Sequence, residues 1–221
     1  MINLILNICI TSPIGDTCFT KQNFKEMRPL TLLAVLVFLL IGMFWGCGTY
    51  NTFVEREVDV EKSWGDVQSA YQRRADLIPN LVNTVKGQAD FERSTLEGVV
   101  QARANATSVN VDASNLTADK MAQFQQAQSQ LSGALSRLLL TVERYPELKA
   151  NQGFMQLQAQ LEGTENRIKV ARDRYNKEVA DYNKSVRKMP SAFVASITGF
   201  EEKAVFEAEA GSDKAPEVNF N

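Results

Sequence analysis

The 221-residue chain contains no histidine, and its three cysteines, Cys9, Cys18 and Cys47, all lie at or before the end of one apolar stretch. The long remainder of the chain has neither residue. Ser-His and Cys-His nucleophilic pairs, zinc sites, and the bundle metal site that needs Glu-x-x-His on two helices are therefore excluded there. A disulfide framework is excluded too, so the fold must be held by packing. Phosphate-cradling loops are also missing, since neither GxGxxG nor GxxxxGK[ST] occurs. Only carboxylate, Lys, Tyr and Ser/Thr side chains remain for chemistry, and without a base poised near neutrality no enzyme activity, cofactor or metal is expected.

Charge of one sign is equally scarce. The 24 Lys and Arg residues interleave with 26 Asp and Glu residues for a net charge of -2, and no basic stripe tracks a phosphate backbone. No nucleic-acid partner is expected. Strand-like alternation is absent over any useful length, which leaves an all-α chain as the reading.

The chain does contain one long apolar run. No side chain from Pro29 to Val54 is charged, and Leu30 to Trp45 reads LTLLAVLVFLLIGMFW. Residues 29–50 have the length of a transmembrane helix and make the lipid bilayer the first expected partner. Trp45 and Tyr50 suit an interfacial belt. Lys21, Lys25 and Arg28 precede the run, whereas Glu55, Glu57, Asp59 and Glu61 dominate the segment after it, with Arg56 and Lys62 among them. Positive residues stay inside, so a single-pass protein with a cytoplasmic N-terminus and an extracytoplasmic domain is expected. A cleaved signal peptide is the plain alternative, but the run is long and no Ala-x-Ala-like site lies beyond it. Lipidation at Cys47 is the sharper one, although Phe44 and Trp45 are poor residues before such a cysteine. Met27 opens a Met-Arg-Pro n-region, so residues 1–26, which lack a continuous period, are expected to be disordered and to precede the true start.

Beyond the run, heptad seams take over. Val60, Trp64, Val67, Tyr71, Arg74, Ile78, Leu81 and Val85 alternate in steps of three and four straight through Pro79, which predicts one kinked helix that stops at Gly87. Asp90 is placed to cap a shorter helix through about Ala104, with Leu96, Val99 and Arg103 inward, and residues 105–115 (NATSVNVDASN) read as a polar loop. A third helix is expected from Thr117, with Leu116 and Met121 as a staple and the seam Met121, Phe124, Gln128, Leu131, Leu135, Leu138, Val142 and Tyr145 ending at Pro146. The fourth begins near Asn151 and carries Phe154, Leu157, Leu161, Thr164, Ile168, Ala171 and Tyr175, then slips to Val179, Tyr182, Val186 and Met189 before Pro190. Short connections favour antiparallel neighbours, hence an up-down-up-down four-helix bundle over residues 51–190. Residues 1–28 form a short cytoplasmic segment in this division, and residues 191–221 an apolar turn with an acidic tail. Within that turn, Phe193, Val194, Ile197 and Phe200 are at helical spacing and are expected either to cap the core or to dip into the headgroup layer.

Several positions stand out as candidate structural or interaction sites. Arg73, Arg74, Asp76, Pro79 and Asn80 concentrate charge and a proline around a seam-facing arginine, which needs an acceptor such as Glu162 or Glu165. The segment reads either as a ligand or partner site or as a polar layer that fixes register. Glu165 with Lys169 and Asp173 with Lys177 are spaced for exposed helix pairs. Gln123, Gln125, Gln126, Gln128 and Gln130 make the third helix polar, and Leu140 lies opposite its seam. Tyr175 and Tyr182 sit seven residues apart in YN-x-x-V-x-x-YN, where packing with a hydroxyl at the bundle edge is expected.

The sequence also resembles the LemA family of bacterial membrane proteins. The resemblance rests on Gly48-Thr49-Tyr50-Asn51 after the apolar run, YQRRADLIPNLVNTVKG (71–87), YPELKAN (145–151), FMQLQAQLEGTENRI (154–168), ARDRYNKEVADYN (171–183) and FEAEAGSDKAPEVNF (206–220). It spans roughly residues 27–220, leaves the first 26 residues outside, and departs from the family at Cys47. It implies a bacterial cell-membrane anchor and an antiparallel helical bundle outside the cytoplasm, periplasmic in a two-membrane envelope, with no enzyme activity and no cofactor. The function expected is a scaffold or interaction module for other envelope proteins or for further copies of the chain, the alternative being an envelope sensor or ligand-binding bundle.

Overall fold

A computed structural model describes residues 29–87 and 91–207. Among them every regular element is helical: α1 (Pro29–Lys86), α2 (Arg93–Ser108), α3 (Ala118–Val142), α4 (Pro146–Lys149), α5 (Gln152–Arg187) and α6 (Ser191–Thr198). The chain divides into two compact units, Met1–Met43 and Phe44–Asn221. In the first, every side chain from Thr31 to Met43 is exposed, and the helix to which they belong is long and apolar enough to cross a membrane. The division falls inside the apolar run, so Phe44 to Tyr50 fold with the second unit.

The second unit is built on the seams. All of Val60, Trp64, Val67, Tyr71, Arg74, Ile78, Leu81 and Val85 are buried, while Pro79 sits on the exposed face of α1, and the Ala75 carbonyl that its missing amide leaves free accepts from Arg103 Nε at 2.8 Å. On α3 the seam is buried from Met121 to Val142, and on α5 at Phe154, Leu161, Thr164, Ile168, Tyr175, Val179, Tyr182 and Val186. Residue pairs set the directions in which the helices meet. Asp66 pairs with Arg174 at 3.2 Å and Arg74 with Glu165 at 2.8 Å, so numbering falls along α5 as it rises along α1. Tyr71 meets Phe124 with ring centroids 5.1 Å apart, and the Arg74 guanidinium donates to the Ser132 hydroxyl at 2.8 Å, so α1 and α3 rise together.

The buried apolar residues form two clusters. One gathers Phe53, Trp64, Tyr71, Phe124, Tyr175, Val179 and Tyr182; the other gathers Ile78, Leu81, Val99, Leu131, Leu135, Leu138, Phe154 and Leu161. Arg74, Gln128 and Thr164 are buried between them in sequence on α1, α3 and α5.

Several local expectations need correction. Asp90 lies outside the described residues, and α2 begins after Glu92 and runs to Ser108 rather than Ala104. The extra turn buries Ala106, whose carbonyl accepts from Gln128 Nε2 at 3.3 Å. The remaining loop is not simply polar, because Val111 is buried and its carbonyl accepts from both Trp64 Nε1 and Gln68 Nε2 at 3.0 Å. Thr117 occupies the N-cap of α3 without a side-chain capping bond, although Leu116 and Met121 are both buried as a staple requires. Asn151 does cap α5, its Oδ1 accepting from the amides of Gly153 (2.9 Å) and Phe154 (3.1 Å). Pro146 does not merely end a helix but opens α4. Met189 leaves the seam altogether and is 74% exposed, because α5 stops at Arg187. Among the described residues neither Glu165–Lys169 nor Asp173–Lys177 forms an ion pair, since Glu165 turns instead to Arg74.

The register has a direct consequence. Leu131→Asp and Leu135→Asp place a carboxylate among the packed side chains of the second cluster and should each destabilise the fold by several kcal/mol. Leu140→Asp, at a position 70% exposed, should be nearly silent. Thermal melts followed by circular dichroism check this, and equal melting temperatures for the three variants would contradict the register.

Candidate functional site

Arg74 is the charged residue at the centre of the fold. An arginine cannot shed its charge, so burial to 1% exposure obliges the surrounding helices to supply acceptors. They do so from two directions. Nη1 donates to Glu165 Oε1 and to Ser132 Oγ, both at 2.8 Å, while Nη2 donates to Gln128 Oε1 at 2.6 Å and to the Gln128 carbonyl at 3.3 Å. The guanidinium also lies 5.0 Å over the Tyr71 ring. Of its nitrogens, Nε alone lacks a partner. Burial raises the Tyr71 phenol above its ordinary value, against the opposing pull of the Arg172 and Arg74 charges. Glu165 remains half-exposed, with 49% of its side chain accessible, so the pair has one dry and one wet member. Because one side chain is tied to α1, α3 and α5 together, sliding any of these helices by a turn would strand a buried charge.

The Tyr-Asn repeat on α5 forms a second constellation. Tyr175 and Tyr182 bury their rings, as expected, but their hydroxyls and the adjacent asparagines reach the backbone of residues 201–207. Asn183 donates through Nδ2 to the Lys203 carbonyl and accepts through Oδ1 from the Lys203 amide, both at 2.9 Å. Seven residues earlier Asn176 does the same for Phe206, donating to its carbonyl at 3.2 Å and accepting from its amide at 2.8 Å. The Tyr182 hydroxyl donates to the Glu201 carbonyl at 3.0 Å and that of Tyr175 to the Ala204 carbonyl at 2.8 Å. Two helical turns advance about 10.5 Å, close to three residues of extended chain, which lets an i,i+7 pair of asparagines read residues 203 and 206 alike. Phe206 then inserts among Trp64, Phe124 and Tyr175. Arg172 stacks on its ring at 4.8 Å, and Gln125 donates to the Glu207 carbonyl at 3.0 Å, so Gln125 is a tail contact rather than free surface. Burial raises the Tyr175 hydroxyl far above its ordinary value; burial, then the charges of Glu57 and Glu201, push Tyr182 up to about 12.

The other sequence-selected residues lie outside both constellations. Arg73, Asp76, Pro79 and Asn80 are exposed on α1, Asp76 accepting from Gln72 at 2.8 Å and the Asn80 carbonyl from Thr84 at 2.9 Å. Arg73 borders a cleft of about 490 Å³ between α1 and α5, floored by Ala70, Val170 and Ala171 and edged by Arg167, Arg174 and Asp66. A polar cleft of about 520 Å³ opens over Arg74, with Gln126, Ser129, Glu165 and Arg172 in its walls. Glu162 accepts from Gln158 and takes no part in the Arg74 layer. Asn176 and Asn183 belong to the Tyr-Asn repeat read from the sequence as packing, and Phe206 has no role in that reading; repetition of the pair at heptad spacing is the signal that marks the clamp. Among the described residues no group of acidic or cysteine side chains could hold a metal ion.

These geometries generate two expectations. Glu165→Gln deprives a buried guanidinium of its counter-charge, though on a side that water reaches, and should cost about 1–3 kcal/mol, whereas Arg74→Met removes the charge and leaves the buried Gln128 Oε1 without its donor. Urea titrations should show a loss for both variants, and an unchanged midpoint for either would contradict the role of the layer in stability. For the clamp, the folded state holds the Tyr182 proton with a pKa of about 12 against 10.0 in the unfolded chain. The folded value is raised, so this contribution is complete below pH 10 and disappears as pH rises toward 12. Melting temperature should be lower for Tyr182→Phe at neutral pH but fall less steeply over that interval. Parallel curves for the two proteins would remove Tyr182 from the pH dependence.

Comparison with known proteins joins these features to a family. The chain is 25% identical over 201 residues to magnetosome protein MamQ 2 of Paramagnetospirillum magneticum, covering 83% of this chain and 72% of that protein. It is 25% identical over 209 residues to magnetosome protein MamQ of Magnetospirillum gryphiswaldense, covering 87% and 74%. Protein LemA of Metamycoplasma hominis is 23% identical over 177 residues, covering 79% and 77%. The LemA family profile matches residues 63–220, a stretch that takes in the Arg74 layer, the Tyr-Asn repeat and the tail that it clamps, and the chain belongs to the LemA family.

Proposed function

We propose that this protein is a non-catalytic scaffold at the bacterial cell envelope. A single span formed by residues 29–50 tethers an up-down-up-down four-helix bundle on the extracytoplasmic side, and the bundle presents its outer helix faces to another envelope protein or to a second copy of the chain. The supporting observation is what occupies the interior. Two apolar clusters and the Arg74 layer occupy it, and the groove beside Tyr175 and Tyr182 is taken by the chain's own residues 201–207. Function then falls to the surface, where the cleft between α1 and α5 combines apolar lining at Ala70 and Val170 with Arg73 and Arg167, while Arg174 is paired with Asp66. Such a floor and rim suit a helix or loop that carries carboxylates.

The alternative, an envelope sensor that binds a small polar ligand, draws on the cleft over Arg74. It is the weaker reading because both terminal nitrogens of Arg74 already have protein acceptors, so a ligand would have to displace them.

A photo-crosslinking amino acid at Val170, with a second at Leu140 for comparison, tests the scaffold in native membranes. A discrete protein adduct at position 170 that disappears with Arg73→Glu and Arg174→Glu is the expected outcome. Failure to crosslink protein from either position would overturn the scaffold reading.

A further inference from the structure

The short helix α6 has two apolar faces, and only one is used by the fold. Ala195 is buried in the first core cluster, with Val194 and Phe200 packed against it. Phe193 and Ile197, four residues apart and so on one face of the helix, are 68% and 69% exposed. Met189 is exposed immediately before it. The α6 segment SAFVASIT contains no charged residue, which is unusual for a helix whose outer face meets only water. Gly199 ends it in the left-handed conformation at φ 79°, turning the chain so that Phe200 returns to α1.

That return fixes where α6 sits in its compact unit. The Phe200 ring lies 5.6 Å from that of Tyr50 and 5.2 Å from that of Phe53. Tyr50 closes the apolar run, and Phe44, Trp45 and Tyr50 are all exposed in the same unit. The uncharged helix is therefore close to Tyr50, whose type and position suit the membrane–water interface. Basic side chains accompany it: Lys184, Arg187 and Lys188 are exposed at the end of α5. Acidic residues are near as well: Glu202 is paired with Arg187 at 3.4 Å and Glu57 with Lys203 at 2.8 Å, which leaves exposed Lys184 and Lys188 against exposed Glu201.

We infer that α6 is a second membrane contact, an interfacial helix that lays Phe193 and Ile197 into the headgroup layer of the bilayer while its inner face caps the bundle core. The two roles coexist because they use opposite faces. Eight residues are too few for strong lipid binding alone, but tethering raises the effective concentration of lipid beside α6 until a weak site is filled. The inference rests on the reading of residues 29–50 as a membrane span.

The test uses the full chain with its cysteines replaced by serine and single substitutions Phe193→Cys, Ile197→Cys, Leu36→Cys or Leu140→Cys, each carrying an environment-sensitive fluorophore. The proteins are reconstituted into phosphatidylcholine–phosphatidylglycerol vesicles containing lipids with a nitroxide near the headgroup or deep in the acyl chain. Labels at 193 and 197 should be quenched by the shallow nitroxide at least ~2-fold more than the label at 140, and the label at 36 by the deep one. Quenching at 36 with none at 193 or 197 would overturn the α6 contact and leave the span intact. Shielding of 193 and 197 without lipid quenching would mean a protein occupant and would overturn it too. Absence of quenching at 36 would overturn the span and the α6 contact together.

Discussion

A permanent positive charge buried in the middle of the bundle is the constraint on which much of the remaining structure depends. Arg74 cannot be neutralised and cannot reach water, so α3 must offer Gln128 and Ser132, and α5 must offer Glu165, at one level. Gln128 is held in turn by α2, whose Ala106 carbonyl accepts its amide. Four helices are thereby indexed to one side chain. An apolar core of leucines alone would tolerate a slip by a heptad; a layer containing one guanidinium and one carboxylate does not. Apolar packing above and below the layer supplies the driving force, and the layer selects one alignment from those that packing permits.

The clamp on the tail answers a different problem. Residues 201–207 have no neighbouring strand to satisfy their backbone, yet Phe206 must be buried to complete the cluster around Trp64. Two asparagines resolve it by acting as substitutes for such a strand, each exchanging both an N–H and a C=O bond with one tail residue. The tyrosines take the carbonyls of Glu201 and Ala204. A helix surface has in this way been made to recognise extended chain, and the first cluster is closed by a segment distant in sequence.

Surface chemistry is where a scaffold differs from a receptor. The exterior combines a cleft edged by arginines and Asp66 on one side with an uncharged helix on another, beyond whose end Phe200 meets Tyr50. The cleft is proposed to take a carboxylate-bearing protein, and α6 the lipid headgroup layer.

Much of this was legible in the sequence because heptad spacing is a local property. The three-four alternation identified the buried residues of α1 from Val60 to Val85 except Ser63 and Ala75, though not Phe53 before them, most of those on α3 and α5, and the need for a carboxylate opposite Arg74, since charge burial obeys the same rule in any bundle. The residue types that the chain lacks, histidine throughout and cysteine beyond position 47, are equally plain from its composition. What only the tertiary structure decided were choices among equivalent candidates and contacts between distant segments. Glu165 rather than Glu162 meets Arg74, because only a packed bundle fixes which of two acceptors three residues apart faces inward. Met189 satisfies the period yet lies in water, because the helix ends before it. Asn176 and Asn183 look like ordinary polar positions until the tail is laid across them, since no periodic pattern in one segment records the backbone of another.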